Sequence, residues 1–244
     1  QVTLQSVEDN YTNLIAIDAL TTSEVTMAAA AVKVTDSVDK TKVDALLADT
    51  TGTVTVELIT ESAANLKTIG KSDYGAGHVN VEYDTLSLAG AALTVSGTTN
   101  KADALILKGY ATAGGASGTV TLQGASGSLT DLQALHDDSS IAISTAAITL
   151  TGTVDKAKAS TVNGYTNQTV TIQTLSDTLS NVTDVYALRP VGEGVVDGVS
   201  IASADITVTT AASKANADTL NNYTTQQVTL QSVEDNYTNL IAID

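Results

Sequence analysis

The eighteen residues QVTLQSVEDNYTNLIAID, Gln1–Asp18, return unchanged at Gln227–Asp244. Chance does not produce an identity of that length. It constrains the fold more than any other feature of the chain, because one segment must serve at two places 226 residues apart.

The intervening period is itself repetitive. Gln1-Val2-Thr3-Leu4-Gln5 has counterparts in Thr53-Val54-Thr55-Val56-Glu57, Thr119-Val120-Thr121-Leu122-Gln123 and Thr169-Val170-Thr171-Ile172-Gln173. This divides the chain into repeat units at 1–52, 53–118, 119–168 and 169–226, with 227–244 opening the next period. Each unit has a second half with a shared grammar: an alternating strand, a polar step, a Lys/Ala/Asp-rich stretch, then Tyr-Thr or a Gly turn. Examples are AAITLTGTVDKAKASTVNGYTNQ (Ala146–Gln168) and ADITVTTAASKANADTLNNYTTQ (Ala204–Gln226). Tyr110, Tyr165 and Tyr223 occupy one equivalent position, where the first unit carries Asp49.

The local periods set the expected elements. QVTLQ and ITVTT alternate and are rich in β-branched residues, so they predict short strands. Short apolar-periodic runs follow the first-half strands: Ser6–Ile17, Thr60–Gly70, Gly127–Asp138 and Ser176–Leu188. Ser6 with Glu8 and Asp9, and Thr60 with Glu61, are the expected helix starts; Gly70 and Arg189-Pro190 are the expected stops. An extra apolar triplet precedes each second strand, as in Glu24–Ala28, Leu86–Gly90, Ile141–Ser144 and Val199–Ser203. Length differences fall in loops at Lys71–Thr85, 111–118 and Arg189–Gly198.

A unit of this size with such small side chains cannot bury its own apolar face, whereas stacked units bury a continuous seam. Strands joined by helices favour parallel pairing. The expected fold is therefore a β-rich, α/β-type repeat solenoid of stacked parallel strands with short helices, four coils per 226-residue period. Equivalent strands would stack, and equivalent Thr, Gln and Asn side chains would form ladders. Beads on a string are disfavoured, because TNQTVT and TTQQVT run from helix end directly into strand and Pro190 is the sole proline.

The stretch Ile148–Leu188 resembles repeats of very large bacterial surface and secreted proteins, many of them cyanobacterial. Those repeats alternate a VTVTG-like strand, an Ala-rich stretch and a VTATISDTAANL-like stretch, and TESAANLKTI (Thr60–Ile69) is a local match to the last. The resemblance covers essentially the whole chain. It implies a surface-exposed, filamentous or adhesive array and carries no catalytic residues with it.

Composition narrows the chemistry. Apolar residues make up 43% of the chain, yet there is no Phe, no Trp and one Met, so the core must be Ala, Val, Leu and Ile. With 27 acidic and 11 basic residues the net charge is −16, which disfavours binding to nucleic acid or to an anionic membrane. Three of those acids lie in the second copy of the duplicated segment, leaving 24 acidic against 11 basic residues, a net −13, in one period. The array must therefore manage self-repulsion, and salt or divalent cations would screen it. No cysteine is present, which excludes disulfides, thiolate metal sites and Cys nucleophiles. No run of eighteen apolar residues is long enough to span a membrane.

Catalytic motifs are missing. His78 and His136 are the only histidines and neither has a partner at zinc spacing; G-x-S-x-G does not occur. Scattered acids without a Trp platform do not suggest glycoside chemistry. Calcium is the more serious ligand, with oxygen-rich candidates at Asp36 and Asp39, Asp137 and Asp138, and Glu193 and Asp197. The competing reading is that these acids keep an array soluble. N-x-[ST] sequons occur at Asn10, Asn167, Asn181 and Asn222.

These features lead to one functional expectation: a non-enzymatic structural protein without a required cofactor, one period of a long array forming an extracellular fibre, sheath or surface layer. Its partners would be neighbouring repeats or subunits, with extracellular polysaccharide or divalent cations as further candidates. The duplicated segment then reads as the start of another period in something longer. The alternative is a cell-surface adhesin, for which the Lys71–Thr85 insertion with Tyr74, His78 and Tyr83 is the candidate binding element.

Overall fold

Alternation in the sequence becomes a repeated strand–cap–helix step. The computed structural model describes residues 2–20, 25–70, 83–189 and 198–240. In the first repeat unit lie β1 (Val2–Thr3), β2 (Ser6–Asp9), α1 (Tyr11–Asp18), β3 (Val25–Thr26), β4 (Ala31–Val38) and α2 (Lys40–Asp49). The second holds β5 (Val54–Ser62), α3 (Ala63–Ile69), β6 (Leu86–Ser87), β7 (Ala92–Thr99) and α4 (Lys101–Ala111). The third holds β8 (Thr119–Gly127), α5 (Leu129–His136), β9 (Ile141–Ala142), β10 (Ala147–Val154) and α6 (Lys156–Asn163). The fourth holds β11 (Thr169–Asp177), α7 (Leu179–Ala187), β12 (Gly198–Ser200), β13 (Asp205–Ala212) and α8 (Lys214–Asn221), followed by β14 (Val228–Val233) and α9 (Tyr237–Leu240).

The fold is α/β, with a large parallel β-sheet and short helices. It divides into two compact units, 1–123 with 138–142, and 124–137 with 143–244, and the division falls inside β8. In the first unit the long strands pair in chain order, β2, β4, β5, β7 and then β8. In the second, β8 is followed by β10, β11, β13 and β14. The expected short triplet strands form, with β6 beside β5, β9 beside β8, β12 beside β11 and β3 beside β1.

Equivalent strands do not stack on one another as the repeat pattern led us to expect. β11 of the fourth unit lies between β10 and β13, strands of the other kind. One short helical crossover such as Asp155–Gln168 returns the chain only as far as the adjacent position, so strands neighbouring in sequence become neighbours in space. Threonine pairs do form, but between the two kinds of strand: Thr149 with Thr171 and Thr207 with Thr229.

The core is a thin layer between sheet and helices. Ile148, Leu150 and Val154 of β10 sit beside Val170, Ile172 and Leu175 of β11, all buried. Helices contribute residues three apart, such as Leu132 and Leu135 of α5 or Val182 and Val185 of α7. A layer this thin is filled by aliphatic side chains without Phe or Trp. Val154 stands four positions after Leu150, whereas its partner Leu175 stands three after Ile172, so the register slips by one residue at a bulge. Gly152 occupies that bulge with φ +79°, and Gly97 holds the counterpart in β7 with φ +73°.

Helix starts follow side-chain chemistry closely. Asn10, Asp39, Ser62, Asn100, Ser128, Asp155, Thr178 and Ser213 each accept a hydrogen bond from the backbone N–H three residues on. Two expected starts are displaced. Ser6, Glu8 and Asp9 lie in β2, and Asn10 is the cap; Thr60 and Glu61 lie in β5, and Ser62 is the cap. Val7 and Ile59 pair into the sheet with Val32 and Val38, which extends these strands past the polar residues that resemble caps. Gly70 does end α3, and α7 ends at Ala187, two residues before Arg189.

Candidate functional site

The repeated chemistry lies at the seams between successive strand–helix modules. At or near the end of the first-half strands stands an acid, Asp9, Glu61, Asp177 or Asp235, except in the third unit, where Gly127 takes its place. Asp177 Oδ2 accepts the Lys156 N–H at 2.9 Å, while Oδ1 accepts from Thr178 N–H at 2.7 Å and Asn181 Nδ2 at 2.9 Å. Asp235 does the same with the Lys214 N–H at 2.9 Å, the Asn236 N–H at 2.8 Å and Asn239 Nδ2 at 2.7 Å. Glu61 reaches the Lys40 N–H at 3.4 Å and the Ser62 N–H at 2.7 Å. One carboxylate thus caps its own helix and the first N–H of the helix before it, two sets of donors that a helix start leaves unpaired.

These bonds shift the acids. Burial opposes ionisation of Asp177, but the donors from Lys156, Asn181 and Thr178 outweigh it and hold the carboxyl below the usual range. Glu61 is lowered against burial by Ser62, Asn65 and Lys40, and Asp235 by Asn239, Lys214 and Asn236.

A second seam bond comes from threonine. Thr166 Oγ1 donates to the Ala146 carbonyl at 2.6 Å and accepts the Gln168 N–H at 3.0 Å. Thr224 repeats this with Ala204 and Gln226, and Thr50 with Ala30 and Gly52. All three threonines are buried, and each satisfies a carbonyl and an amide at the turn into the next strand.

A third element joins the ends of the two helices in each unit. The position carrying Tyr110, Tyr165 and Tyr223 meets Gly70, His136 and Tyr186 respectively. A Cβ on Gly70 would lie 2.1 Å from the Tyr110 ring. His136 stacks on Tyr165 at 4.3 Å between centroids, and Tyr186 on Tyr223 at 3.7 Å. The Arg189 guanidinium lies 4.0 Å from the Tyr186 centroid. In the first unit the same two positions are Asp18 and Asp49, and burial, with Asp18 beside it, pushes the Asp49 carboxyl up.

The candidate calcium residues are engaged as caps and ion pairs. Asp36 Oδ1 accepts the Tyr11 N–H at 2.7 Å, and Asp39 caps α2 through the Lys42 N–H at 2.9 Å. Asp138 binds Lys108 Nζ at 2.6 Å and the Ser140 N–H at 2.9 Å; Asp137 lies 3.2 Å from His136 Nδ1. Glu193 and Asp197 lie outside the described residues, as do Tyr74 and His78. Among the described residues no three His, Cys, Asp or Glu gather as a metal cluster. Tyr83, from the insertion, is buried and donates its hydroxyl to Asp44 at 2.8 Å, with Lys40 Nζ on the same carboxylate at 2.6 Å. The bond to Asp44 ties Tyr83 itself to α2. No helix among the described residues is long and apolar enough to cross a membrane.

The class the fold defines is an α/β protein with a large parallel sheet and short helices, in which similar side chains recur at successive strand–helix seams. Comparison with protein-family models, with curated proteins and with solved structures finds no match to this chain.

Proposed function

We propose that the chain is one period of a long tandem-repeat array with a structural role: an extracellular fibre, sheath or surface layer, and not an enzyme. In this reading the array is a solenoid, each of the four repeat units adding two strand–helix modules. One observation carries it. Within each compact unit the long strands pair in chain order, and recurrent seam residues bind each module to the next, as Asp177 and Thr166 do. Such a plan extends by adding modules, without a terminal site to complete. Likeness to repeats of giant bacterial surface proteins supports the extracellular setting, and a net −13 per period suits a solvated polyanion screened by salt, divalent cations or polysaccharide-bound counterions.

Electron microscopy of the native material tests this reading. A uniform fibre with an axial repeat of one period is expected. Isolated particles carrying a distinct tip would replace it with the adhesin alternative.

A further inference from the structure

The two copies of the eighteen-residue segment have identical residues and opposite neighbours. In the first copy β2 pairs downstream, with Ser6, Val7, Glu8 and Asp9 opposite Ala31, Val32, Lys33 and Val34 of β4. The Tyr11 N–H donates to Asp36, and Lys33 Nζ meets Glu8 at 2.9 Å. In the second copy β14 pairs upstream, with Val228, Thr229, Leu230, Ser232 and Val233 opposite Ile206, Thr207, Val208, Ala211 and Ala212 of β13. The Lys214 N–H donates to Asp235. Among the described residues, β2 has no upstream strand and β14 no downstream strand.

Burial follows the same division. Leu14 is fully buried, while its counterpart Leu240 is 42% exposed. Tyr237 is 79% exposed, whereas Tyr11 is partly buried. At the other side Val2 is 58% exposed, and its counterpart Val228 is partly buried against β13. At these three pairs of positions one copy is exposed where the other is covered or partly covered.

The two sets of contacts use different edges and different atoms. Asp9 Oδ1 holds the Asn10 N–H and Asn13 Nδ2, as Asp235 Oδ1 holds Asn236 and Asn239, but only Asp235 also takes an N–H from the preceding helix, through Oδ2. The β11–α7 module shows both sets made at once: Asp177 accepts the upstream Lys156 N–H, and the Leu179 N–H donates downstream to Thr210 Oγ1.

We infer that the segment is a two-sided joint, and that the exposed edge of β14–α9 is the seat for β4–α2 of a second copy of this period. The register is that of the first copy: Ser232 opposite Ala31, Val233 opposite Val32, Glu234 opposite Lys33 and Asp235 opposite Val34. The Tyr237 N–H then donates to Asp36, Lys33 pairs with Glu234, and Leu240 is covered as Leu14 is. The inference rests on the array reading only for the source of the second copy. A separate chain can dock this way only by displacing its own Gln1–Asp18, since an identical segment already fills the seat.

A tandem protein tests the joint: residues 1–226 fused ahead of the full 244-residue chain. Hydrogen exchange over Glu234–Leu240 at the internal joint is expected to slow at least about tenfold relative to the same residues of the single chain. Leu240→Ala should leave the melting temperature of the single chain unchanged, yet lower that of the tandem by several degrees, as Leu14→Ala does in the single chain. Equal exchange in both proteins, or a silent Leu240→Ala in the tandem, overturns the joint. The exchange comparison uses wild-type sequence and stands even if Leu14→Ala fails to fold. Native material that forms a fibre while the joint stays unprotected sinks the joint alone; a protected joint in material that forms no fibre sinks the array reading alone.

Discussion

Asp177 Oδ2 lies 2.9 Å from the backbone nitrogen of Lys156 and accepts its N–H, although the two residues are 21 apart in sequence. The carboxylate ends strand β11, and the amide begins the helix of the module before it. Removing it leaves the Lys156 and Thr178 N–H groups without this acceptor, while Asp155 and Thr178 still cap the two helices. Asp177→Ala should destabilise the protein by about 1–2 kcal/mol, and Asp177→Asn by less, because the amide oxygen still accepts one donor. Chemical denaturation checks this; equal midpoints for wild type and Asp177→Ala would refute the capping role.

Acid should act through the same residues. Asp177, Glu61 and Asp138 are held below the ordinary carboxyl range in the folded chain. The unfolded chain then binds more protons as pH falls past about 4, so stability is present above the unfolded pKa and is lost as pH drops through the folded values. Melting temperature should fall steeply below about pH 4, and Asp177→Asn should flatten that slope. A variant with an unchanged slope would remove Asp177 from the acid response.

Asp49 should behave oppositely. Burial and the nearby Asp18 raise its carboxyl pKa in the folded state. The folded chain then holds the proton more tightly, so this group costs stability as pH rises through the unfolded and then the folded value. Asp49→Asn should raise the melting temperature at pH 7 and lose that advantage near pH 3. A destabilised Asp49→Asn at neutral pH would show that the position gains more from charge than it loses.

Thr166 is buried between the Ala146 carbonyl and the Gln168 N–H. Thr166→Val keeps the shape and strands both groups, at a cost of about 1–3 kcal/mol. Thr161, exposed on α6, donates only to its own helix, and Thr161→Val should change stability by less than about 0.5 kcal/mol. Urea midpoints compare the two directly.

At Gly70 the constraint is space, since its φ of −69° suits any residue. A Cβ there would fall 2.1 Å from the Tyr110 ring. Gly70→Ala should cost about 1–3 kcal/mol in the wild type. In a Tyr110→Ala background it should cost much less, and an additive double mutant would disprove the contact.

Much of the local fold is legible in the sequence. Val170-Thr171-Ile172 and Ile206-Thr207-Val208 alternate as strands and are strands; Ser128 and Thr178 precede apolar runs and cap helices. The seam acids are legible too, once the units are aligned, because Asp9, Glu61, Asp177 and Asp235 each stand directly before a cap residue. Their second bond, to a helix 21 residues away, is not, because it depends on which strand lies alongside. The same holds for Thr166, whose burial is set by the turn packed over it, and for Tyr83, which sits in a variable insertion yet is held against Asp44.

By itself the sequence determined the repeat, the small-residue core, the strand–helix alternation and the identity of Gln1–Asp18 with Gln227–Asp244, because these follow from composition and period. The tertiary structure decided the order of strands. A short helical crossover brings each strand beside the next one in the chain, so unlike strands pair and equivalent ones lie two positions apart. Only that order places Asp177 beneath the helix of Lys156 and buries Leu14 while leaving Leu240 exposed, since burial depends on which neighbour covers a residue and not on the residue itself.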